Sequence, residues 1–423
     1  MSRFSKTLRA TYRRVTPVLG NRRTFTTTGR KPSSSPSIAE ENISRYAPGG
    51  FHHVRIGDVF DDGKYKVLRK LGYGVYSTVW LAHDTQAKKN VALKILAADT
   101  YDGKCDSFEL ELLEKISEQA SQNKPGGEHV LGLLDDFKHK GPNGQHVCLV
   151  LEAMGPDVGQ FRDLFAHRRL PLPMAKQATR DMVAALAFLH DACGIIQTDI
   201  KPSNILLETP ELRNMFIHAS PEVFEQDPAG LPPPQDFYIP SEPVISANED
   251  LTTSTEISFR LADFGTSSWT TKHLTEWIQP NMLRAPEVIL GGPWDSKVDI
   301  WNLGLVIWEL VTGQLCFDGQ ATATADYSSE AHLAQMQSIL GRFPEALLSS
   351  MHKRDEFFDS NGNLTGSVSF PTYALAAMCA SSGVFAVPEE LDAFVEFVSG
   401  SLILDPKLRP TARELGGARW LKV

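Results

Sequence analysis

The sequence predicts an α+β chain in two lobes, a small β-rich lobe followed by a larger and mainly helical one. Three observations predict it. Alternating apolar residues between positions 65 and 96, broken by a glycine turn, mark strands. From Met174 onward the apolar residues fall at helical spacing instead. The segment Ile300 to Val311 is apolar nearly all round, a pattern that suits a helix buried inside a large helical domain.

The elements follow in order. "YKVLRKLGYGVYSTVWLAHD" reads as strand, turn, strand. "NVALKIL" is a third strand, with Val91, Leu93 and Ile95 on one face and Ala92, Lys94 and Leu96 on the other. In "SFELELLEKISEQ" Phe108, Leu112 and Ile116 keep helical spacing, and "HVLGLLDDF" and "HVCLVLEAMG" are further strands. Ala178, Met182, Ala185, Leu186 and Leu189 line one face of a helix for which Gly194 is the stop. "DSKVDIWNLGLVIWELVTG" starts after Asp295 or Ser296 as a cap and ends at Gly313. Residues 208–257 carry eight prolines, too many for a central strand or a long helix over most of their length. They are expected to form an insertion that lies on the surface or is partly disordered. The resulting division is a basic arm at 1–39, a lead-in at 40–64, a first lobe at 65–152, and a second lobe at 153–423 that contains the insertion.

With 42% apolar and 22% charged residues the composition is that of an ordinary globular protein, and no apolar run is long enough to span a membrane. Five scattered cysteines without CxxC spacing point to a reducing compartment and no structural zinc. The net charge of −9 is unevenly distributed. Residues 1–39 hold nine Lys or Arg and no acid, so the remainder carries −18. Such a body attracts cationic partners and repels nucleic-acid phosphates, so direct nucleic-acid binding is not expected, and a monomer is. The arm admits two readings. Phe4, Leu8, Tyr12 and Val15 at helical spacing among Arg and Lys fit an organelle transit peptide, and the Ser/Pro-rich composition fits a disordered basic tail.

Several residue types then suggest chemistry. Gly72 and Gly74 in "GYGVYS" let a hairpin backbone approach phosphates, although a tight turn alone also explains them. Lys94 lies mid-strand and is costly to bury unpaired; Glu109 on the next helix can hold it as a positioned charge for phosphate oxygens. "TDIKPSN" places Asp199, Lys201 and Asn204 together, and "LADFG" supplies Asp263. Phosphoryl transfer to a hydroxyl needs a carboxylate to orient the nucleophile, a positive charge on the transferred group, and oxygen ligands for Mg²⁺. Asp199, Lys201 and the pair Asn204 with Asp263 match those needs in that order.

With VALK, DxKxxN, DFG and APE (Ala285 to Glu287) in this order, residues 65–421 resemble the eukaryotic protein kinase family. "LGYGVYSTVWLA", "LLDDF", "HVCLVLEAMG", "TDIKPSNILL", "HLTEWIQP" and "DIWNLG" resemble the SR-protein kinase branch, and "YAPGGFHHVRIGDVF" resembles its fungal members. The resemblance implies a bilobal protein kinase fold and a serine/threonine protein kinase using ATP and Mg²⁺. Leu71, Gly72, Tyr73, Gly74, Val75, Tyr76, Ser77 and Val79 would cover ATP, with Ala92 and Leu151 lining the adenine pocket and the backbone of Glu152 and Met154 on the adenine edge. Lys94, paired with Glu109, would bind the α- and β-phosphates; Asp199 would be the catalytic base and Lys201 would contact the γ-phosphate. Asn204 and Asp263 would hold Mg²⁺, Asp299 would brace the catalytic loop, and Glu287 would pair with Arg409. Arg/Ser-rich proteins are the implied substrates. Cytoplasm and nucleus are the implied locations, against which the arm suggests mitochondria.

Departures from the family pattern keep alternatives open. Gln197–Thr198 stands where kinases carry His-Arg and this branch His-Thr, so the usual receptor for an activation-loop phosphate is missing and activity without loop phosphorylation is expected. Gln197 still offers a donor and an acceptor. Pro280 replaces a Thr whose hydroxyl ties the catalytic Asp and Lys to the substrate loop, and Leu283 replaces a Tyr. A nucleotide-binding scaffold with weak transfer activity is therefore the second expectation, and a small-molecule kinase of related fold the third.

Overall fold

The computed structural model describes residues 40–101, 103, 107–227, 235–242 and 256–422; the basic arm lies outside them. Six antiparallel strands form the first lobe: β1 (Val59–Phe60), β2 (Tyr65–Tyr73), β3 (Ser77–Asp84), β4 (Lys89–Leu96), β5 (Leu133–Gly141) and β6 (Gly144–Glu152), in spatial order β1-β2-β3-β4-β6-β5. Helix α1 (Glu109–Ser121) packs Leu112, Leu113 and Ile116 against one face of this sheet, on Leu81, Ala92, Leu96 and Leu149. The opposite face buries Val67, Trp80, Val91, Leu93, Ile95 and Val150. Both faces are thus apolar, which is why β4 is buried at nearly every position.

The second face is closed by segments outside the first lobe. Val54 and Phe60 of the lead-in and Ile239 of the Pro-rich insertion complete its core. The expectation that the insertion merely lies on the surface is corrected here in part. It begins with helix α4 (Pro210–His218), whose N-terminus is capped by the Thr209 hydroxyl and whose Leu212 and Phe216 are buried. Phe216 then stacks on Phe224, and Asn90 of β4 donates to the Ala219 carbonyl. Proline prevents regular pairing over this stretch without preventing docking, because Phe224 and Ile239 still bury completely.

The second lobe is helical. Helix α2 (Val158–Phe161) follows the first lobe, the short α5 (Pro286–Ile289) comes later, and α6 (Lys297–Thr312) packs against both α3 (Leu172–Phe188) and the helix Pro388–Ser401. After α3 a wide turn over Leu189–Cys193 ends on Gly194 at φ 70°, the left-handed stop expected from the sequence. Helix α6 is buried along almost its whole length, and its N-terminal backbone is capped by the Asp295 carboxylate, with Ser296 making no side-chain cap. A Cβ at Gly304 would lie 2.6 Å from that of Ser401, so glycine is what lets these two helices touch. Two short ladders, β7 (Ile195–Ile196) with β10 (Ser268–Trp269) and β8 (Ile205–Glu208) with β9 (Ser258–Leu261), frame the cleft between the lobes. Among the described residues no helix is long and apolar enough to cross a membrane.

Candidate active site

Strand geometry sets the roof of the cleft. The β2–β3 hairpin turns through Gly74, whose N–H donates to the Ser77 carbonyl at 2.8 Å, and Ala97 beyond β4 donates to the Tyr76 carbonyl. Tyr73 and Val75 are exposed at the tip, while Ser77 is buried. A Cβ added at Gly72 would meet nothing within 4 Å. The chain's own packing therefore gives no reason for glycine there, and φ at Gly72 is not positive. Ala92 pairs with Leu151 across β4 and β6, and Met154 is buried just beyond Glu152.

Lys94 projects from β4 between two acids. Its Nζ lies 2.5 Å from Glu109 Oε1 on α1 and 2.8 Å from Asp263 Oδ1. Burial alone would pull the ammonium pKa down, but Asp263 and Glu109 outweigh it and raise it above its ordinary value. Burial likewise works to raise the Asp263 carboxyl, yet Lys94 and then Lys201 hold it down at about 2. Both groups are charged at neutral pH. A helix in the second core layer, a strand and the loop after β9 are thus joined at one ammonium.

The floor is the segment between β7 and β8. Lys201 Nζ is 2.6 Å from Asp199 Oδ2, and the Asn204 amide donates to the Asp199 carbonyl at 2.9 Å and to its carboxylate at 3.1 Å. With its NH₂ so used, the amide oxygen is the atom of Asn204 left for a cation. Burial raises the Asp199 pKa above its ordinary value, and Lys201 pulls it part of the way back. Asp299 at the start of α6 braces this loop from below: its carboxylate accepts from the backbone N–H of Gln197 and of Thr198, both at 2.8 Å, and from His190. Glu287 and Arg409 form a bidentate pair at 2.7 and 2.8 Å with neither side chain exposed.

The departures from the family pattern acquire a geometry. Gln197 uses both ends of its amide. Its NH₂ donates to the Asp263 carbonyl at 2.9 Å and the Ala262 carbonyl at 3.2 Å, while its oxygen accepts the Asp199 N–H at 2.6 Å. Thr198 adopts φ 64°, rare for a β-branched residue, and its hydroxyl donates to the Thr266 carbonyl at 2.8 Å. Ser267 returns a bond to the Gln197 carbonyl at 2.9 Å. Further along, His273 stacks on Trp294 at 3.6 Å, Lys272 lies over Phe108 at 4.8 Å, and the Arg284 guanidinium lies over Trp277 at 4.1 Å. Pro280 caps a short turn at φ −60° and offers no hydroxyl.

Sequence reasoning missed two contributors. Gln279, at φ 67°, donates to the Val298 carbonyl and accepts from Ala285 N–H, while its own carbonyl is taken by Arg284 at 2.7 Å. Arg260 on β9 ties Glu152, at the junction of the lobes, to Glu208, which is in turn paired with Arg213 of α4. A backbone of positive φ and a charge pair more than 100 residues apart leave no local pattern to read. Among the described residues no cluster of three or more His, Cys, Asp or Glu forms a metal site.

Comparison with known proteins agrees with this geometry. The protein kinase domain model matches residues 65–226 and 240–421, so the break between the two parts falls inside the insertion. A serine/threonine-protein kinase SRPK from Physarum polycephalum is 33% identical over 387 residues, 89% of each chain. The protein kinase dsk1 of Schizosaccharomyces pombe is 30% identical over 90% of this chain and 85% of its own. The human SRSF protein kinase 3 is 27% identical over 77% of this chain and 80% of its own. The cleft with its buried Lys94–Glu109 pair, the Asp299-braced loop and these matches together place the chain in the protein kinase family, in its SRPK-like branch, as a serine/threonine protein kinase.

Proposed function

We propose that this kinase transfers the γ-phosphate of ATP to serines in Arg/Ser-rich segments of protein substrates, and that Asp199, Lys201, Lys94 and Glu109 carry the reaction. The observation that carries it is the meeting of Lys94, Glu109 and Asp263 with Asp199, Lys201 and Asn204 in one cleft. Lys94 orients the α- and β-phosphates under the turn from Leu71 to Val79, and the open space above Gly72 leaves room for them. Asn204 and Asp263 would hold Mg²⁺, which supplies positive charge to the phosphate oxygens. Asp199 orients the acceptor hydroxyl and receives its proton as the serine oxygen bonds to the γ-phosphorus and the bond to ADP breaks. Lys201 meets the charge on the transferred group.

The substrate chemistry is supported by two facts. The charge of −18 beyond residue 39 favours a basic partner, and relatives carry the names SRPK and SRSF protein kinase. The same charge disfavours direct nucleic-acid binding and self-association, in keeping with a monomer; the likeness to the SRPK branch is what supports a location in cytoplasm and nucleus. A fluorescent fusion with and without residues 1–39 tests the location; arm-dependent mitochondrial signal would overturn it.

The deciding experiment measures transfer from labelled ATP with Mg²⁺ onto an Arg/Ser-repeat peptide and a generic basic protein, with Asp199→Asn alongside. Transfer that favours the repeat peptide and disappears in the variant is expected. Equal use of both acceptors would overturn the substrate assignment, and undiminished transfer by Asp199→Asn the catalytic one.

A further inference from the structure

The strand that leads into the glycine turn lacks a regular neighbour along one edge. Strand β1 pairs with β2 only at Tyr65 and Lys66, and the loop before it adds Val67 through Gly57 and Asp58. From Leu68 onward the insertion takes over. Gln226 N–H donates to the Leu68 carbonyl at 2.9 Å, its side-chain oxygen accepts Lys70 N–H at 3.0 Å, and Glu242 N–H donates to the Lys70 carbonyl at 3.1 Å. A bare edge is thereby paired within the same chain.

Under this seam lies Lys70, with 0% of its side chain exposed. Its ammonium is 2.6 Å from both Glu41 oxygens, 3.0 Å from Glu40 and 2.8 Å from the Ile239 carbonyl. The surrounding groups are bonded in turn. Tyr46 donates to the Glu41 carboxylate, Tyr238 to the Glu41 carbonyl, and Ser241 to Glu40 through both its N–H and its hydroxyl. Lead-in, insertion and β2 therefore converge on one charge. That charge also reaches the turn, because the ring of Tyr73 lies 5.8 Å from Lys70 Nζ. Between the clasp and the turn the β2–β3 ladder shifts register, at Lys70 to Gly72, so the ladder alone does not fix the height of the turn.

We infer that Lys70 is a positioning residue for ATP: by clasping the lead-in and the insertion to β2 it holds the glycine turn over the nucleotide, and the insertion thereby sets nucleotide affinity. This rests on the assignment of Leu71 to Val79 as the nucleotide cover. A purely structural role would move the melting temperature and all kinetic constants together. A positioning role moves the constants for nucleotide alone.

The test uses the full chain with Lys70→Met, Lys70→Arg, Gln226→Ala and, as the control at the nucleotide site, Lys94→Met. ADP affinity in the presence of Mg²⁺, KM for ATP and KM for an Arg/Ser-repeat peptide are measured for each. Loss of both side-chain hydrogen bonds of Gln226, from Lys70 N–H and to the Pro240 carbonyl, in Gln226→Ala should raise KM for ATP and Kd for ADP about fivefold with peptide KM unchanged. Lys70→Met should exceed this, and Lys70→Arg, which keeps the charge, should recover most of it. Should Lys70→Met fail to fold because Glu41 is left buried and unpaired, Gln226→Ala decides, since it removes no charge. Folded variants with unchanged KM for ATP overturn the clasp while Lys94→Met still abolishes transfer. Undiminished transfer by Lys94→Met would instead overturn the nucleotide-site assignment itself.

Discussion

Replacing Gln197 by Ala removes the amide that joins the catalytic loop to the Asp263 loop. Three backbone groups lose a partner: Asp199 N–H, whose bond is 2.6 Å, and the carbonyls of Asp263 and Ala262. The site is closed, with Gln197 at 0% exposure, so the loss is not made good by bulk water. A buried polar group left unsatisfied costs about 1–3 kcal/mol; counting only the two shorter bonds gives about 2–6 kcal/mol. A water entering the vacated space would bring the loss toward the lower end. If about 2.7 kcal/mol of this is felt in the transition state, kcat/KM falls about 100-fold. Gln197→His, which keeps one donor and one acceptor, should stay within about tenfold of the wild type. Gln197→Glu should be worst, because its second oxygen would face two carbonyls. Steady-state kinetics with thermal melting on the three variants checks the order. Wild-type kcat/KM and melting temperature in Gln197→Ala would refute the reasoning, since the bridge would then bind nothing that matters.

Other outcomes follow from the same geometry. Pro280→Thr restores a hydroxyl in the substrate loop and should raise kcat on the repeat peptide by up to about tenfold, with ADP affinity unchanged; a titration calorimeter and a transfer assay separate the two effects. Glu287→Gln leaves Arg409 buried without its countercharge and should destabilise the second lobe by about 3–5 kcal/mol, read from denaturant unfolding. In the proposed mechanism the Asp199 carboxyl is ionised to orient the hydroxyl, and its raised pKa then predicts that activity is lost as pH falls through a value above the ordinary carboxylate range. Lys201 holds that pKa down, so in Lys201→Met the residual activity should lose its acid limb at higher pH than the wild type; a pH–rate profile shows the direction. Treatment with a phosphatase should leave the transfer rate unchanged.

What could be read from the sequence was what is local or chemically marked. Strands β2 to β4, the helix stop at Gly194 and the buried helix α6 follow from periodicity and from glycine, and they hold regardless of distant contacts. Lys94, Asp199, Asn204 and Asp263 stood out because charged and amide side chains in apolar surroundings need a partner, and the structure supplies one for each. The insertion was misjudged for a physical reason. Proline forbids ladders, which local patterning detects, but the burial of Ile239 depends on an apolar surface built from Val54 to Val150, far along the chain, that no window contains. The left-handed backbone at Gln279 and at Thr198 was hidden likewise, since a positive φ is imposed by what surrounds the backbone, here Arg284 on one carbonyl and Asp299 below the other residue.

The activation segment shows how the missing arginine is compensated. A loop organised by a phosphate needs a cationic receptor, and at 198 there is a threonine instead. Its hydroxyl binds the Thr266 carbonyl, Ser267 binds back to Gln197, β10 pairs with β7, and His273 stacks on Trp294. None of these ties needs an added charge, and two of them anchor the loop directly to the segment that carries Asp199. The same neutral ties predict that Thr198→Ala, which frees the Thr266 carbonyl, lowers kcat on peptide more than it lowers ADP affinity. Equal losses in both would place the tie in the nucleotide site instead.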